Sequence, residues 1–263
     1  MRNTIRPGIF FLSAIVLPLL LTACHIDTVG HRSQAIGDIP LPTPKDPKAV
    51  IHHHAFTLEY SEADEQARWV AYMICQSRLD GPYKRQSTPG CRFHEDNKVR
   101  SQSATDNDYR NSGYSRGHLA PAADMKWDSL ALVESFLLSN ASPQNFEFNS
   151  GVWNRLEMLV RQWAKTYDTI YVVTGPLLSD NGKGHIGMSQ VTIPTAFFKA
   201  VYIPSAKKAI GFLVPHEQSK APLRSFVMSI DALEAAIDID LFPGIADETE
   251  LEASADLSGI KIK

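Results

Sequence analysis

Cysteine is scarce in this 263-residue chain: there are three, at positions 24, 75 and 91, so no more than one disulfide can form within it. Long apolar runs are missing as well. The run at residues 9–21 falls short of the ~20 residues that a bilayer-spanning helix needs, which excludes it as a membrane span. Basic charge is not in excess, with 26 Lys and Arg against 29 Asp and Glu, a net charge of −3 with histidine neutral. Binding of a polyanion would therefore have to rest on a local basic surface. No internal repeat is evident, which sets repeat architectures aside.

The N-terminus has its own logic. Arg2 and Arg6 precede the apolar run, and Leu21-Thr22-Ala23-Cys24 closes it, the order of an export signal over residues 1–23. Leu-Thr-Ala-Cys also resembles the bacterial lipobox, which implies cleavage before Cys24, acylation of that residue and anchoring in a cell envelope. His25 in place of an aspartate favours the outer membrane by the lipoprotein sorting pattern. The alternative is an ordinary secretory signal with an incidental cysteine. Losing Arg2 and Arg6 would take the basic residues from 26 to 24 against 29 acids, a net −5. Residues 24–50 then read as a lipidated cysteine and a tether containing Pro40, Pro42, Pro44 and Pro47. At ~3.1 Å per residue it could reach ~80 Å. In an exported protein the remaining pair, Cys75 and Cys91, is expected to form a disulfide, with two free buried thiols as the alternative.

Residues 51–245 form the expected catalytic domain and residues 246–263 an acidic tail. The spacing predicts strands at 55–60, 68–74, 169–174, 191–203 (interrupted by Pro194) and 209–214, with helices at 128–138 and 149–167. The second helix is the clearer one, because Val152, Leu156, Leu159, Val160 and Trp163 form one apolar stripe. Strands and helices without regular alternation argue for an α+β fold. Between them, residues 76–114 make a long irregular stretch, and loops of that length are usually functional. His52-His53-His54 reads as an exposed polar start to the first strand rather than a metal site, since consecutive strand residues face opposite ways. Charge is uneven. Residues 81–120 contain Lys84, Arg85, Arg92, Lys98, Arg100, Arg110 and Arg116, whereas residues 231–256 contain nine acids and no Lys or Arg. Such asymmetry can orient a polyanion toward the first region, although most charge runs are simply solvated surface.

The densest chemical signal is Tyr114-Ser115-Arg116-Gly117-His118-Leu119-Ala120-Pro121, followed by Ser139-Asn140-Ala141-Ser142-Pro143-Gln144, Asn149 and Glu157. Glycine before histidine is expected to let the chain turn so that the imidazole projects from a strand end beside an arginine aimed at an anion. His118 suits proton abstraction near neutral pH. Arg116 offers a fork of donors for phosphoryl oxygens. Asn149 offers a neutral oxygen, adequate for Mg²⁺, which takes few protein ligands. On a straight α-helix at ~100° per residue, Glu157 lies ~80° from Asn149, so both can border one site.

In these residues the chain resembles the DNA/RNA non-specific endonucleases, the group that includes endonuclease G. Arg-Gly-His alone is a weak signal, but with Ser-Asn-x-x-Pro-Gln and Asn-x-x-x-Trp-x-x-Leu-Glu at matching distances it becomes specific. The resemblance covers most of residues 55–240 and implies a ββα-metal fold, with a mostly antiparallel sheet flanked by helices. It implies His118 as general base, Asn149 as ligand to Mg²⁺ (Mn²⁺ being the alternative), Glu157 in support of the metal site, and Asn140 as a supporting position. Arg92 or Arg85 would assist the phosphate. The family signature is Asp-Arg-Gly-His, and here Ser115 replaces the aspartate, which puts the placement of Arg116 in question; the expectation is that Ser115 still supplies a hydrogen bond toward it. DNA and RNA are the implied substrates, a lipid anchor the implied membrane contact, and a homodimer stays open. The rival readings are an inactive binding or scaffold lipoprotein on the same fold and a hydrolase of other phosphodiesters.

Overall fold

The computed structural model describes residues 40–178, 182–245, 251, 253–260 and 262. The expected export signal, Cys24 and the first part of the tether lie outside them. Among the described residues no helix is long and apolar enough to cross a membrane.

Seven strands pair antiparallel in the order β1 (Val50–His52), β2 (Phe56–Ser61), β3 (Gln66–Cys75), β6 (Thr169–Leu177), β9 (Ala196–Ile203), β10 (Lys208–Pro215) and β11 (Val227–Met228). Two ribbons stand apart, β4 (Ser115–His118) with β5 (Ala141–Gln144) and β7 (His185–Ile186) with β8 (Val191–Thr192). The helices are α1 (Asp106–Tyr109), α2 (Ser129–Glu134), α3 (Phe146–Phe148), α4 (Asn154–Tyr167) and α5 (Ile230–Ile237). The expected interruption at Pro194 separates β8 from β9.

Both faces of the large sheet are covered, and strand alternation sorts the side chains. Val70, Tyr72 and Ile74 of β3 join Ile170 and Val172 of β6 and Phe197 and Val201 of β9 in one core. Leu156, Val160 and Trp163 of α4 close that core, which accounts for most of the apolar stripe seen in the sequence. Each such side chain, fully buried, contributes about 1.5–3 kcal/mol relative to exposure. Trp69, Ala71, Tyr171, Val173 and Phe198 point the other way, against Ile230, Leu233 and Ile237 of α5.

Several expectations change. The described part of the tether is docked: Thr43 N donates to Asp240 O at 2.8 Å, and Asp46 N donates to Glu59 Oε1 at 2.9 Å. The C-terminal segment also packs, with Ile260 and Ile262 in the main core. The Cys75 to Cys91 disulfide is not formed. Cys91 is a free thiol packed with Leu132 and Phe136, whereas Cys75 ends β3, where Thr169 Oγ1 lies 3.8 Å from its sulfur.

The triple histidine is not an exposed strand start either, because His53 is only 5% exposed. Its Nε2 lies 2.9 Å from Asp96 Oδ2, and its Nδ1 faces Glu134 Oε1 at 3.7 Å, too far for a hydrogen bond. Ser139 Oγ donates to the same Asp96 oxygen at 2.6 Å, so this cluster fastens the long loop to the turn that carries Asn140. Burial alone would lower the His53 pKa, but the Asp96 hydrogen bond and the two negative charges outweigh it and leave it above the ordinary 6.5. Asp96 and Glu134 are held below their usual values, against their own burial. Charged His53 therefore contributes stability that is complete below pH 6.5 and fades as pH rises through the raised value. The carboxylates contribute above their ordinary values and lose that contribution as acid protonates them. His53→Gln is expected to lower the melting temperature most between pH 4.5 and 6.5 and least at alkaline pH, measured by thermal unfolding across a pH series. A loss equal at every pH would show that the ring is held by packing alone.

Candidate active site

The two sequence motifs meet as one ladder. β4 carries Ser115 to His118 and β5 carries Ala141 to Gln144, with Ser115 opposite Gln144, Arg116 opposite Pro143, Gly117 opposite Ser142 and His118 opposite Ala141. Gly117 serves close approach rather than a turn, since it lies within an extended strand. A Cβ there would come within 2.1 Å of Gln144 Cδ, so the ladder needs glycine at this position.

His118 ends β4 and packs in a cluster of three rings, with Phe93 at 4.9 Å and Phe136 at 5.0 Å between centroids and those two rings 5.3 Å from each other. Its Nε2 is buried and without a hydrogen-bond partner. Burial, assisted by the charge of Arg85, pushes the imidazole pKa down to about 4, so the ring is neutral at physiological pH. Arg85 is exposed, with its guanidinium 4.8 Å from the Phe136 centroid. Arg92 is also exposed and immediately precedes Phe93. Arg85 thus borders the histidine through the Phe136 ring, whereas no contact brings the Arg92 side chain to it among the described residues.

Asn140 is fully buried, and its amide is committed to backbone. The Oδ1 accepts from Ala120 N at 2.9 Å, and the Nδ2 donates to Ala120 O at 2.9 Å and Ser135 O at 2.8 Å. It fixes the chain leaving His118 rather than offering a polar edge to a ligand. Arg116 is 23% exposed and held by Asp106, with Nη2 2.7 Å from Oδ1 and 2.8 Å from the carbonyl oxygen. The Ser115 hydroxyl makes no hydrogen bond among the described residues, to Arg116 or to any other group, and the residue is tied in only through the β4–β5 ladder.

Asn149 follows α3 directly and opens a widened turn, Asn149–Trp153, in which Gly151 leaves helical conformation at φ −99° and ψ −106°. The helix expected to run unbroken over 149–167 is therefore kinked, and the straight-helix angle between Asn149 and Glu157 does not apply. Such turns are frequent at functional sites. The Asn149 side chain is half-buried and has no hydrogen-bond partner among the described residues, which leaves its amide oxygen for an external ligand.

Glu157 belongs to a buried charged cluster between α4 and the sheet. Arg161 Nη1 lies 3.0 Å from Asp124 Oδ1 and its Nη2 3.9 Å from Glu157 Oε2, tying α4 to the turn that follows His118. Lys199 is fully buried on β9, donating to Thr174 Oγ1 at 3.1 Å under the Trp153 ring at 4.8 Å. Burial pushes Glu157 up to about 7, against the positive charges of Lys199 and Arg161, while burial pushes Lys199 down to about 8. Asp124, Arg161 and Lys199 join the site without a motif that marks them in the sequence. The first lies three residues after Pro121, the second is four residues after Glu157, and the third is a lysine in an otherwise apolar strand.

Among the described residues no three or more His, Cys, Asp or Glu side chains converge as a metal cluster. That excludes a Cys/His cage there but suits Mg²⁺, which takes one or two protein oxygens and keeps its waters. The unpartnered Asn149 amide at the widened turn is an oxygen of the kind such an ion takes, and the half-buried Glu157 carboxylate lies on the helix that follows.

Comparison with known proteins gives the family. The sequence model described as DNA/RNA non-specific endonuclease matches residues 33–248. The chain is 35% identical over 238 residues to mitochondrial nuclease EXOG of Danio rerio, covering 84% of this chain and 67% of that protein. It is 35% identical over 206 residues to mitochondrial endonuclease G of Bos taurus, covering 73% and 68%. A chain of the crystal structure of the EndoG/EndoGI complex superposes with a TM-score of 0.68 at 30% identity, covering 75% of this chain and 86% of that one. The α+β arrangement is that of the ββα-metal nucleases.

Proposed function

The chain belongs to the family of DNA/RNA non-specific endonucleases, and from that premise we propose that it hydrolyses internal phosphodiester bonds of both DNA and RNA. The observation that carries this reading is His118, a neutral imidazole with an unpartnered, buried Nε2, set on the same face of a short ladder as Arg116. In the reaction, His118 takes a proton from water as the water oxygen bonds to phosphorus. The bond from phosphorus to the leaving sugar oxygen breaks, and that oxygen acquires a proton from solvent. Arg116 pairs with a nonbridging oxygen as negative charge builds on the phosphoryl group. Asn149 would hold Mg²⁺ through its amide oxygen, with Glu157 orienting the ion's surroundings. Bound there, Mg²⁺ would supply positive charge where negative charge builds on the phosphoryl group. Asn140, the His53 cluster and the Phe93 and Phe136 rings keep the histidine in place.

Contacts confined to phosphates carry no sequence information, and independence from the 2′-hydroxyl would admit both nucleic acids. The order of residues 2–24 supports export, with Cys24 as the acylated first residue in the envelope reading.

Purified protein is expected to convert a supercoiled DNA circle to nicked and linear forms and to degrade linear DNA and RNA in Mg²⁺, with chelator stopping all three. Gel analysis of the circle separates internal cutting from digestion at ends. Retention of nucleic acid without chelator-sensitive cutting would favour the scaffold reading, and cleavage of small phosphodiesters alone would favour the other hydrolase.

A further inference from the structure

The signature carboxylate is absent at Ser115, yet Arg116 is not loose, and the group that holds it comes from elsewhere in the chain. We propose that Asp106 is the positioning residue that aims Arg116 at the substrate phosphate. The inference rests on the phosphate-clamp reading of Arg116.

Strand geometry argues against residue 115 as the holder. Successive residues of β4 project to opposite faces, so a side chain at 115 points away from the side on which Arg116 and His118 lie. Gln144, the register partner of Ser115, packs against Gly117, and its buried amide has no partner. The Ser115 hydroxyl makes no hydrogen bond among the described residues.

Asp106 is placed for the work. Both its carboxylate, at 2.7 Å, and its carbonyl oxygen, at 2.8 Å, take the same Nη2 of Arg116. Two acceptors on one donor fix the rotation of the guanidinium and leave its other terminal nitrogen for a second anion. The Tyr109 ring supports the guanidinium from 5.4 Å. The mount is firm. In α1, Thr105 and Asp108 cap each other reciprocally, and buried Asp108 accepts from Ser189 N at 2.9 Å and Ser189 Oγ at 2.8 Å. Nor is Arg116 neutralised, since Arg110 Nη2 also lies 3.4 Å from Asp106 Oδ2. One carboxylate between two guanidiniums leaves a net positive charge at the site, as a phosphate requires.

The test is a double-substitution cycle on the full protein, scored by nicking of a DNA circle in Mg²⁺, with folded content checked by circular dichroism. Asp106→Ala is expected to lower kcat at saturating DNA by roughly ten- to hundredfold, the scale of a misaimed group. Asp106→Glu should recover part of that loss, and Ser115→Asp should recover none in the Asp106→Ala background. In the Arg116→Ala background, Asp106→Ala should have no further effect, since there is no guanidinium left to aim. An equal factor in both backgrounds, or an undiminished rate for Asp106→Ala with Arg116→Ala impaired, overturns the role of Asp106 alone. An undiminished rate for Arg116→Ala overturns the phosphate-clamp reading beneath it.

Discussion

His118→Ala is expected to cut the rate of circle nicking by about 10²- to 10⁴-fold while the protein stays folded. The imidazole has no carboxylate partner to set its orientation, unlike the histidine of a serine hydrolase triad. It is held by Phe93 and Phe136, and its Nε2 bonds to nothing, so its removal strands no hydrogen-bonding group. The cost to stability is lost ring packing. Burial keeps the pKa at about 4, and a base must be unprotonated to act. Protonation of His118 would therefore slow cleavage only as pH falls toward about 4, well below the ordinary 6.5. A pH series at fixed Mg²⁺ checks this, and an acid limb in the unmodified protein that persists in His118→Ala would assign the limb to another group.

The second large effect is expected at Asn149. Asn149→Ala should lose cleavage on the same scale, because its unpartnered amide oxygen at the widened turn is the group proposed to hold the ion. The two losses should differ in kind. Raising Mg²⁺ should recover part of the Asn149→Ala rate and none of the His118→Ala rate, and calorimetric titration with Mg²⁺ should show weakened binding only in Asn149→Ala. Glu157→Gln is expected to be milder, about 10- to 100-fold, as befits a residue acting through its neighbours. Unchanged Mg²⁺ affinity in Asn149→Ala would move the metal site elsewhere.

Much of this was legible in the sequence, and the parts that were not share a cause. Period-two and helical patterns report burial, so β2, β3 and the stripe of α4 could be read directly. The pairing of Arg-Gly-His with Ser-Asn-x-x-Pro-Gln could not, because register between β4 and β5 is a tertiary fact. Three adjacent histidines look alike in a string, and only the fold shows that His53 enters a pocket between Asp96 and Glu134. Cys75 and Cys91 are the two cysteines left in the domain, yet spacing says nothing of distance, and Cys91 is free within a separate apolar cluster. The kink at Gly151 follows from backbone angles that no side-chain pattern encodes. Lys199 was visible as an oddity, a charge inside an apolar strand covered on both faces, but its neighbours Glu157, Asp124 and Arg161 are distant in sequence.

The proton-taking role of His118 can be tested without inference from loss. His118→Ala leaves a cavity flanked by Phe93 and Phe136 that is shaped for a flat ring. Added imidazole is expected to enter it and restore nicking of the DNA circle, saturating with concentration and rising with the neutral fraction of imidazole. A His118→Ala protein that nicks the circle at the unmodified rate with no imidazole present would contradict the role assigned to this residue.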